Sequence, residues 1–300
     1  MDKPVHVISS KCVQCKHVPC IDFFKSWGEL EGGELFLFNK IIEDRKFVPC
    51  IVGASIYTLC QCTLNLSNNE ETTDLPITHV LLQCIRDLKC SVFLAIFGHY
   101  RHAMQTLRPV FENFLAGLFF TYLEDYDSYM KWLDGEYIIP RYLWKEIMGD
   151  RKPLKKKLDY EFCLEFMGKR CIHSKYLRKW EKQKQKIKEK IIGPLNKYLH
   201  PYFPSFEIAL GKRCAGCPAA VKYDEEKLKK WIEVFQRILF LIFDFILQNY
   251  WEQLVADKDT RTALLFLVEP PDVKKEFMQY EEYRKLVEVI ENYLSRINDN

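Results

Sequence analysis

The chain has 300 residues, of which 48% are hydrophobic and 28% are charged, a composition that predicts a globular protein with a substantial core. Its longest apolar run, Ile238 to Leu247, is interrupted by Asp244 and is about half of the roughly 20 residues that a membrane span needs. The first residues, MDKPVHVISSKC, lack the basic-then-apolar layout of a secretory signal. We therefore expect a cytoplasmic protein with no membrane segment.

Two pairs of cysteines have the two-residue gap that suits a turn around a tetrahedral zinc ion. They are Cys12 with Cys15, and Cys214 with Cys217. In a chain with no secretory signal, such cysteines favour metal ligation over disulfides. We expect one structural zinc that ties the N-terminus to the mid-chain loop, with His17 and Cys20 as alternative ligands. A redox role is the competing reading, but no βαβ pattern of thioredoxin type surrounds either pair.

Helical patterns follow one another from Pro49 onwards. A helix from Pro49 to about Leu66 ends in the polar run SNNEETTD, and a second is expected from Ile77 to Phe97. Gly98 either acts as a hinge before the next helix or lies within one continuous helix. The cysteines among these apolar residues are expected to be buried, inert thiols. They are Cys50, Cys60, Cys62, Cys84, Cys90 and Cys163.

A single polar stripe marks the most apolar stretch of the chain, Cys90 to Glu124. At 100° per residue, its polar residues project within a narrow arc of one helix face. They are Arg101, Gln105, Arg108 and Glu112. The i, i+4 spacing allows Arg108 to pair with Glu112, which leaves Arg101 and Gln105 to find partners elsewhere. Pro109 is expected to kink this helix.

Positive charge is concentrated between Arg151 and His200. This segment has 16 Lys or Arg against 5 Asp or Glu, a balance of +11 in a chain whose net charge is +3. It is either a solvated helix face or a surface that binds a polyanion such as RNA. The lysines assigned to RNA binding are Lys155, Lys156, Lys157, Lys182, Lys184 and Lys186. Farther on, Asp224 is expected to cap a helix from Glu225 to Trp251.

The central stretch, GHYRHAMQTLRPVFENFLAGLFFTYLEDYDSYMKW, resembles the core helix of a group of prokaryotic all-helical proteins with a Gly-Tyr-x-x-Ala-x-x-x-Leu-Arg-x-x-x-Glu pattern. In that group a later Tyr-x-x-His-Pro segment completes the pattern, and KYLHP, Lys197 to Pro201, is similar to it. The resemblance covers about residues 80–132 and 195–206. It points to the HEPN-like helical bundles, many of which are metal-independent ribonucleases of toxin and defence systems.

The resemblance implies an Arg-x(4–6)-His motif, in which the arginine binds the scissile phosphate and the histidine moves the proton of the 2′-hydroxyl. Asn196 and His200 match the motif, but Leu195 stands where the arginine should be. None of the seven histidines has an arginine five to seven positions before it. Either Arg101 or Arg108 substitutes from the neighbouring helix, or the activity is absent. Absence is favoured, because a substitute must reproduce the phosphate-binding geometry.

The sequence thus predicts a single all-α domain, a helical bundle with a long central helix. Its expected segments are a Cys-rich N-terminus (1–30), central helices (77–132), a basic helical insertion (151–200), a loop with the second CxxC pair (201–222) and C-terminal helices (224–297). One hypothesis is a HEPN-like RNA-binding or RNA-cleaving protein that uses Arg101, Arg108, Glu112, Asn196 and His200. The alternative is a zinc-stabilised helical interaction protein without catalysis, whose partner is a second copy or another protein.

Overall fold

The computed structural model describes residues 49–149, 158–171, 177–199, 224–268 and 281–298, and all the regular elements in these ranges are helical. The predicted all-α class is therefore confirmed. The helices are α1 (Pro49–Asn68), α2 (Pro76–Ile96), α3 (Tyr100–Leu123), α4 (Tyr126–Leu133), α5 (Arg141–Met148), α6 (Tyr160–Phe166), α7 (Leu177–Ile187), α8 (Gly193–Leu199), α9 (Glu225–Ala256), α10 (Lys258–Val268) and α11 (Glu281–Asn298). Two five-residue π-helical turns, Met167–Cys171 and Lys188–Ile192, follow α6 and α7.

The centre of the bundle is an antiparallel hairpin of α2 and α3. The turn between them contains Gly98, whose φ of 74° lies in the left-handed region that glycine tolerates. The stretch from Cys90 to Glu124 is therefore two helices that meet at a hinge. Contacts along the hairpin keep one register: Ser91 donates to the carbonyl of Ala103, and the backbone amide of Ile77 donates to Oγ1 of Thr121.

Helices α2 and α3 are in close contact at Gly117. A Cβ atom at this position would lie 3.0 Å from Cβ of Val80 and 3.2 Å from Cδ1 of Ile77. The absence of a side chain therefore allows α2 to pack against the backbone of α3. The opposite end of the hairpin is fixed by Trp231 of α9, whose Nε1 donates to Oγ of Ser91 over 2.9 Å inside the core.

The other long helices pack around this hairpin. Helix α9 contacts α1, α3, α10 and α11, and α10 packs against α1. Asp224 caps α9 as predicted, since its carboxylate accepts from the backbone amide of Lys227. At Tyr250 the backbone of α9 departs from helical angles, with φ −130° and ψ 18°. The predicted end of this helix, Trp251, is the next residue. In α3 the helix continues through Pro109.

These helices test the predicted burial of the cysteines. The aromatic stretch after Asp125 forms two short helices, α4 and α5. Cys62, Cys84 and Cys163 are buried, and burial raises the pKa of the Cys62 thiol to about 12. Cys90 is exposed, so its assignment to the core was wrong. It lies on the solvent face of α2, where a strongly apolar neighbourhood in sequence does not imply burial in space.

Candidate functional site

The polar stripe of α3 lies at the boundary between the core and the solvent. Arg101, Gln105, Arg108 and Glu112 are all partly exposed, while Met104, Leu107 and Phe111, on the side of α3 that faces the core, are at 1% exposure or less. The predicted arc of polar residues is therefore present. Its members are reached by water, which makes their charges less costly than in the interior.

Arg108 is the centre of a hydrogen-bonded network. Its Nε donates to Oε1 of Glu112 over 2.7 Å, which confirms the predicted i, i+4 pair. Its Nη1 donates over 2.9 Å to Oδ1 of Asn196 on α8. The side chains of Arg108 and Glu112 are 26% and 38% exposed, so the ion pair is a semi-exposed one. Arg108 and Asn196, which are far apart in the sequence, thus belong to one hydrogen-bonded cluster.

The position of α8 depends on the π-helical turn that precedes it. The wider turn at Lys188–Ile192 buries both Ile191 and Ile192, and Leu195 of α8 is buried beside them. The carbonyl of Lys190 accepts a hydrogen bond from Nη1 of Arg237 on α9 over 3.0 Å. Because Leu195 anchors α8 in the core, the next residue, Asn196, is exposed and faces Arg108. Leu195 therefore has a packing role at the position where the motif has an arginine.

Tyr160 extends the network to a third helix, and the sequence did not single it out. The side chain of Asn196 is hydrogen-bonded to the Tyr160 hydroxyl at the start of α6. Burial raises the pKa of Tyr160, and repulsion from Glu161 adds to this, while the bond to Asn196 and the charge of Arg108 oppose it. Asp159 caps α6 by accepting from the amide of Phe162. That cap places Tyr160 in the first turn, but nothing local indicates its contact with a residue 36 positions later.

A second contact joins α8 to the stripe. Nε2 of Gln105 donates over 2.9 Å to the backbone carbonyl of Tyr198. This satisfies Gln105 and fixes the end of α8 one turn away from Arg108. His200 follows Leu199, the last residue of α8, and lies outside the described residues. The assigned role of His200 therefore stays a prediction.

Arg101 differs from the rest of the stripe. Among the residues that the structure describes, its buried Nε has no hydrogen-bond partner and its guanidinium makes no ion pair. The histidines nearest to Arg101 in the sequence, His99 and His102, contact each other, with their ring centroids 6.1 Å apart. The stripe thus has one arginine with an ion pair, Arg108, and one, Arg101, without an ion pair in the described part of the chain.

Of the lysines assigned to RNA binding, three are on α7. Lys182 and Lys186 are exposed. Lys184 is 12% exposed and forms ion pairs with Glu165 of α6 and Glu181, at 3.1 and 2.9 Å. Its charge is therefore compensated within the protein, in contrast to the expectation of a free phosphate-binding group. Lys155, Lys156 and Lys157 lie outside the described residues.

The predicted zinc ligands also lie outside the described residues. They are Cys12, Cys15, Cys214 and Cys217, with the alternatives His17 and Cys20. In the ranges that the structure covers, no group of three or more His, Cys, Asp or Glu is arranged to hold a metal ion. The zinc site stays a prediction from sequence spacing.

Among the described helices, none combines the length and the apolar character that a bilayer-spanning helix requires.

No family model matches this sequence, and no curated protein or solved structure is significantly similar to it. The function of the site must therefore be argued from its own geometry.

Proposed function

We propose that the chain is a HEPN-like RNA-binding protein whose site lies between α3 and α8. The observation that supports this is the hydrogen bond from Arg108 to Asn196. Asn196 belongs to the motif frame that lacks its arginine, and Arg108 brings a guanidinium to that frame from a neighbouring helix. A substitute cation of this kind is what the altered motif requires if it is to bind a phosphate.

The chemistry that this arrangement allows is metal-independent RNA cleavage of a non-standard type. Arg108 would bind the scissile phosphate, and His200 would take the proton of the 2′-hydroxyl as its oxygen attacks the phosphorus. The bond to the 5′-oxygen breaks, this leaving oxygen takes a proton from water, and a 2′,3′-cyclic phosphate remains. Asn196 and Tyr160 would hold the guanidinium in place. The partial exposure of Arg108 and Glu112 leaves the site open to a ligand, which a closed structural pair would not do.

The test is incubation of purified protein with labelled single-stranded RNA in a buffer without added divalent cation. Wild-type protein should bind the RNA, and Arg108→Ala and His200→Ala should each remove binding or cleavage while unfolding close to the parent. Arg86→Ala is the matched control, because Arg86 is an exposed arginine on α2 outside the stripe. Loss of binding in the control variant alone would contradict the proposal, as would full activity in Arg108→Ala.

The basic region provides an independent test of RNA binding. Because Lys184 is engaged by two glutamates, its reversal would disturb the contact between α6 and α7. Lys182 and Lys186 are exposed, so their reversal to Glu should weaken RNA binding and leave the fold intact. Adding reversals at Lys155, Lys156 and Lys157 should abolish it. RNA binding that survives all five reversals would identify the segment as a solvated face.

A second candidate function is a helical interaction protein without catalysis. The observation that favours it is a group of exposed apolar residues on α4, α5 and the segment between them. Tyr142 is 73% exposed, Ile138 61% and Leu133 52%. Exposed apolar side chains in one region mark interaction surfaces. Under this function, Tyr142→Ser with Ile138→Ser would change the oligomeric state measured by light scattering, and no RNA binding would be found.

A further inference from the structure

Arg101 is the residue of the stripe that packing does not explain. A buried N–H without a partner costs free energy, and an arginine without an ion pair costs more when its head is partly desolvated. Both features meet at Arg101, whose Nε is buried and unpartnered among the described residues. In native structures such groups are rare and concentrate at functional or strained sites, where a bound ion is one way to satisfy them.

Two carboxylates near the stripe are already engaged, and a third, Glu226, whose charge acts on Tyr198, makes no ion pair with Arg101. Glu112 accepts from Arg108 over 2.7 Å. Asp224, whose charge acts on Tyr198, accepts from the backbone amide of Lys227 and pairs with its Nζ at 3.0 Å. These side chains already have cationic partners, so the counter-ion that Arg101 requires is an anion from outside this network.

Arg101 and Arg108 are also in line. They are seven residues apart on a continuous helix, which is two turns or about 10.5 Å along the axis, and they project within about 20° of each other. Gln105, between them, is held by the carbonyl of Tyr198. The ligand therefore meets two guanidinium groups in a row, along the edge where α8 lies against α3.

We propose that Arg101 binds a second phosphate of a single RNA strand, another phosphate of which is held at Arg108. This assignment rests on the proposed function and defines its substrate class: a strand with several phosphates, not a mononucleotide or a dinucleotide. Positively charged groups spaced along a groove are the usual way in which proteins follow a single strand without reading its sequence.

The experiment compares two RNA ligands and three proteins by fluorescence anisotropy. The ligands are a single-stranded RNA of about 12 nucleotides, within the site sizes of single-strand binders, and a dinucleotide with one internucleotide phosphate. The proteins are wild type, Arg101→Gln and Arg86→Gln. Each titration is repeated between about 50 and about 200 mM KCl, because the slope of affinity against salt counts phosphate contacts.

We expect Arg101→Gln to bind the longer RNA about tenfold more weakly, the loss of one charge-assisted hydrogen bond. The magnitude of its salt slope should fall by about 0.7, the value for one phosphate of a single strand. Its affinity for the dinucleotide should equal that of wild type, since that ligand reaches Arg108 alone. Equal affinity of Arg101→Gln and wild type for the longer RNA overturns the assignment and leaves the proposed function intact. Equal weakening for both ligands overturns the second-phosphate position.

Thermal unfolding without ligand supplies a reading that does not depend on RNA. If Arg101 awaits an anion, Arg101→Met should melt at or above the temperature of wild type, because the unpartnered N–H is removed. Inorganic phosphate should raise the melting temperature of wild type more than that of Arg101→Met, which keeps only the phosphate position at Arg108. A variant that melts several degrees lower would identify a structural partner for Arg101 and overturn the inference. If wild type binds no RNA but is stabilised by phosphate through Arg101, the proposed function fails and the ligand is a smaller anion.

Discussion

Nη1 of Arg108 donates to Oδ1 of Asn196 across 2.9 Å, and this bond joins α3 to α8 over 88 positions of sequence. Because Arg108 is 26% exposed and its partner Glu112 is 38% exposed, water can solvate whichever group is left when the other is removed. A buried ion pair would instead leave an uncompensated charge in the core.

The first prediction follows from this exposure. Arg108→Ala should lower the free energy of unfolding by about 1 kcal/mol, the value for a solvated pair, and Asn196→Ala by a similar amount. Urea unfolding followed by circular dichroism measures both. Asn196→Asp is the control, since it keeps an acceptor opposite the guanidinium and should retain the parent stability. A loss of several kcal/mol in Arg108→Ala would mean that the network is structural, and a silent His200→Ala beside it would end the nuclease hypothesis.

The second prediction concerns the contact of α2 with α3. An alanine normally stabilises a helix relative to glycine by about 0.5–1 kcal/mol. Gly117→Ala should instead destabilise the protein, because the new Cβ would lie 3.0 Å from Cβ of Val80. The larger Gly117→Val should destabilise by about 1–3 kcal/mol through overpacking. Gly193→Ala is the matched control, since its Cβ would be at an ordinary 3.4 Å from the carbonyl of Lys188. Thermal unfolding of the variants decides the sign.

The third prediction addresses the buried polar group in the hairpin. Ser91 donates to the carbonyl of Ala103 over 2.7 Å and accepts from Trp231, so Ser91→Ala strands the indole N–H in the core. The expected loss is about 1–3 kcal/mol. In the Ser91→Ala background, Trp231→Phe should lower the free energy of unfolding less than it does in wild type, because the indole N–H no longer has Oγ of Ser91 as its acceptor. A double-mutant cycle with additive losses would refute this coupling.

The fourth prediction is a dependence of stability on pH. Hydrogen bonds from Ser128 hold the pKa of Asp125 below its usual range, and hydrogen bonds from Thr260 do the same for Asp257. A carboxyl whose pKa is lower in the folded state contributes its stabilisation fully above the unfolded pKa of about 3.9, and loses it as the pH falls through the folded value. Stability should therefore be level near neutral pH and fall below about pH 4. Asp125→Asn keeps the cap without a titrating group, so its stability should fall less steeply in acid.

The fifth prediction concerns the cysteines. Purified protein should hold about one zinc per chain, bound by Cys12, Cys15, Cys214 and Cys217, and should melt lower after treatment with a chelator. Atomic absorption gives the metal content. Cys90→Ala is the control, because an exposed single thiol on α2 should not change it. An unchanged melting temperature in chelator would exclude a structural zinc.

The elements of this fold could be read from the sequence because their signals are local. The stripe on α3, the glycine hinge before it and the Asp224 cap each depend on residues within a few positions of one another. The helix predicted from Pro49 to about Leu66 is observed as Pro49–Asn68. The end expected at Trp251 lies one residue from Tyr250, where the backbone of α9 leaves helical angles, and a further helical segment continues to Ala256.

Only part of the site could be predicted from local sequence signals. The pair of Arg108 with Glu112 follows from helical spacing, whereas the bond of Arg108 to Asn196 depends on how α8 packs. That packing is set by a π-helical turn, and its one-residue shift has no signature in the pattern of apolar residues. Tyr160 was missed for the same reason. The engagement of Lys184 by Glu165 also depends on the contact between α6 and α7, which charge counting along the chain does not detect.

Oγ1 of Thr58 on α1 donates to the backbone carbonyl of Ala263 on α10, across 205 positions of sequence. During synthesis at about 5–20 residues per second, α1 leaves the ribosome roughly 10–40 s before the segment that covers it. Over that interval the apolar face of α1, which includes Ile56 and Leu59, has only α2 and the helices made so far to shield it. Chaperone binding to nascent chains should therefore be strongest before residue 263 emerges, and release should coincide with the synthesis of α10.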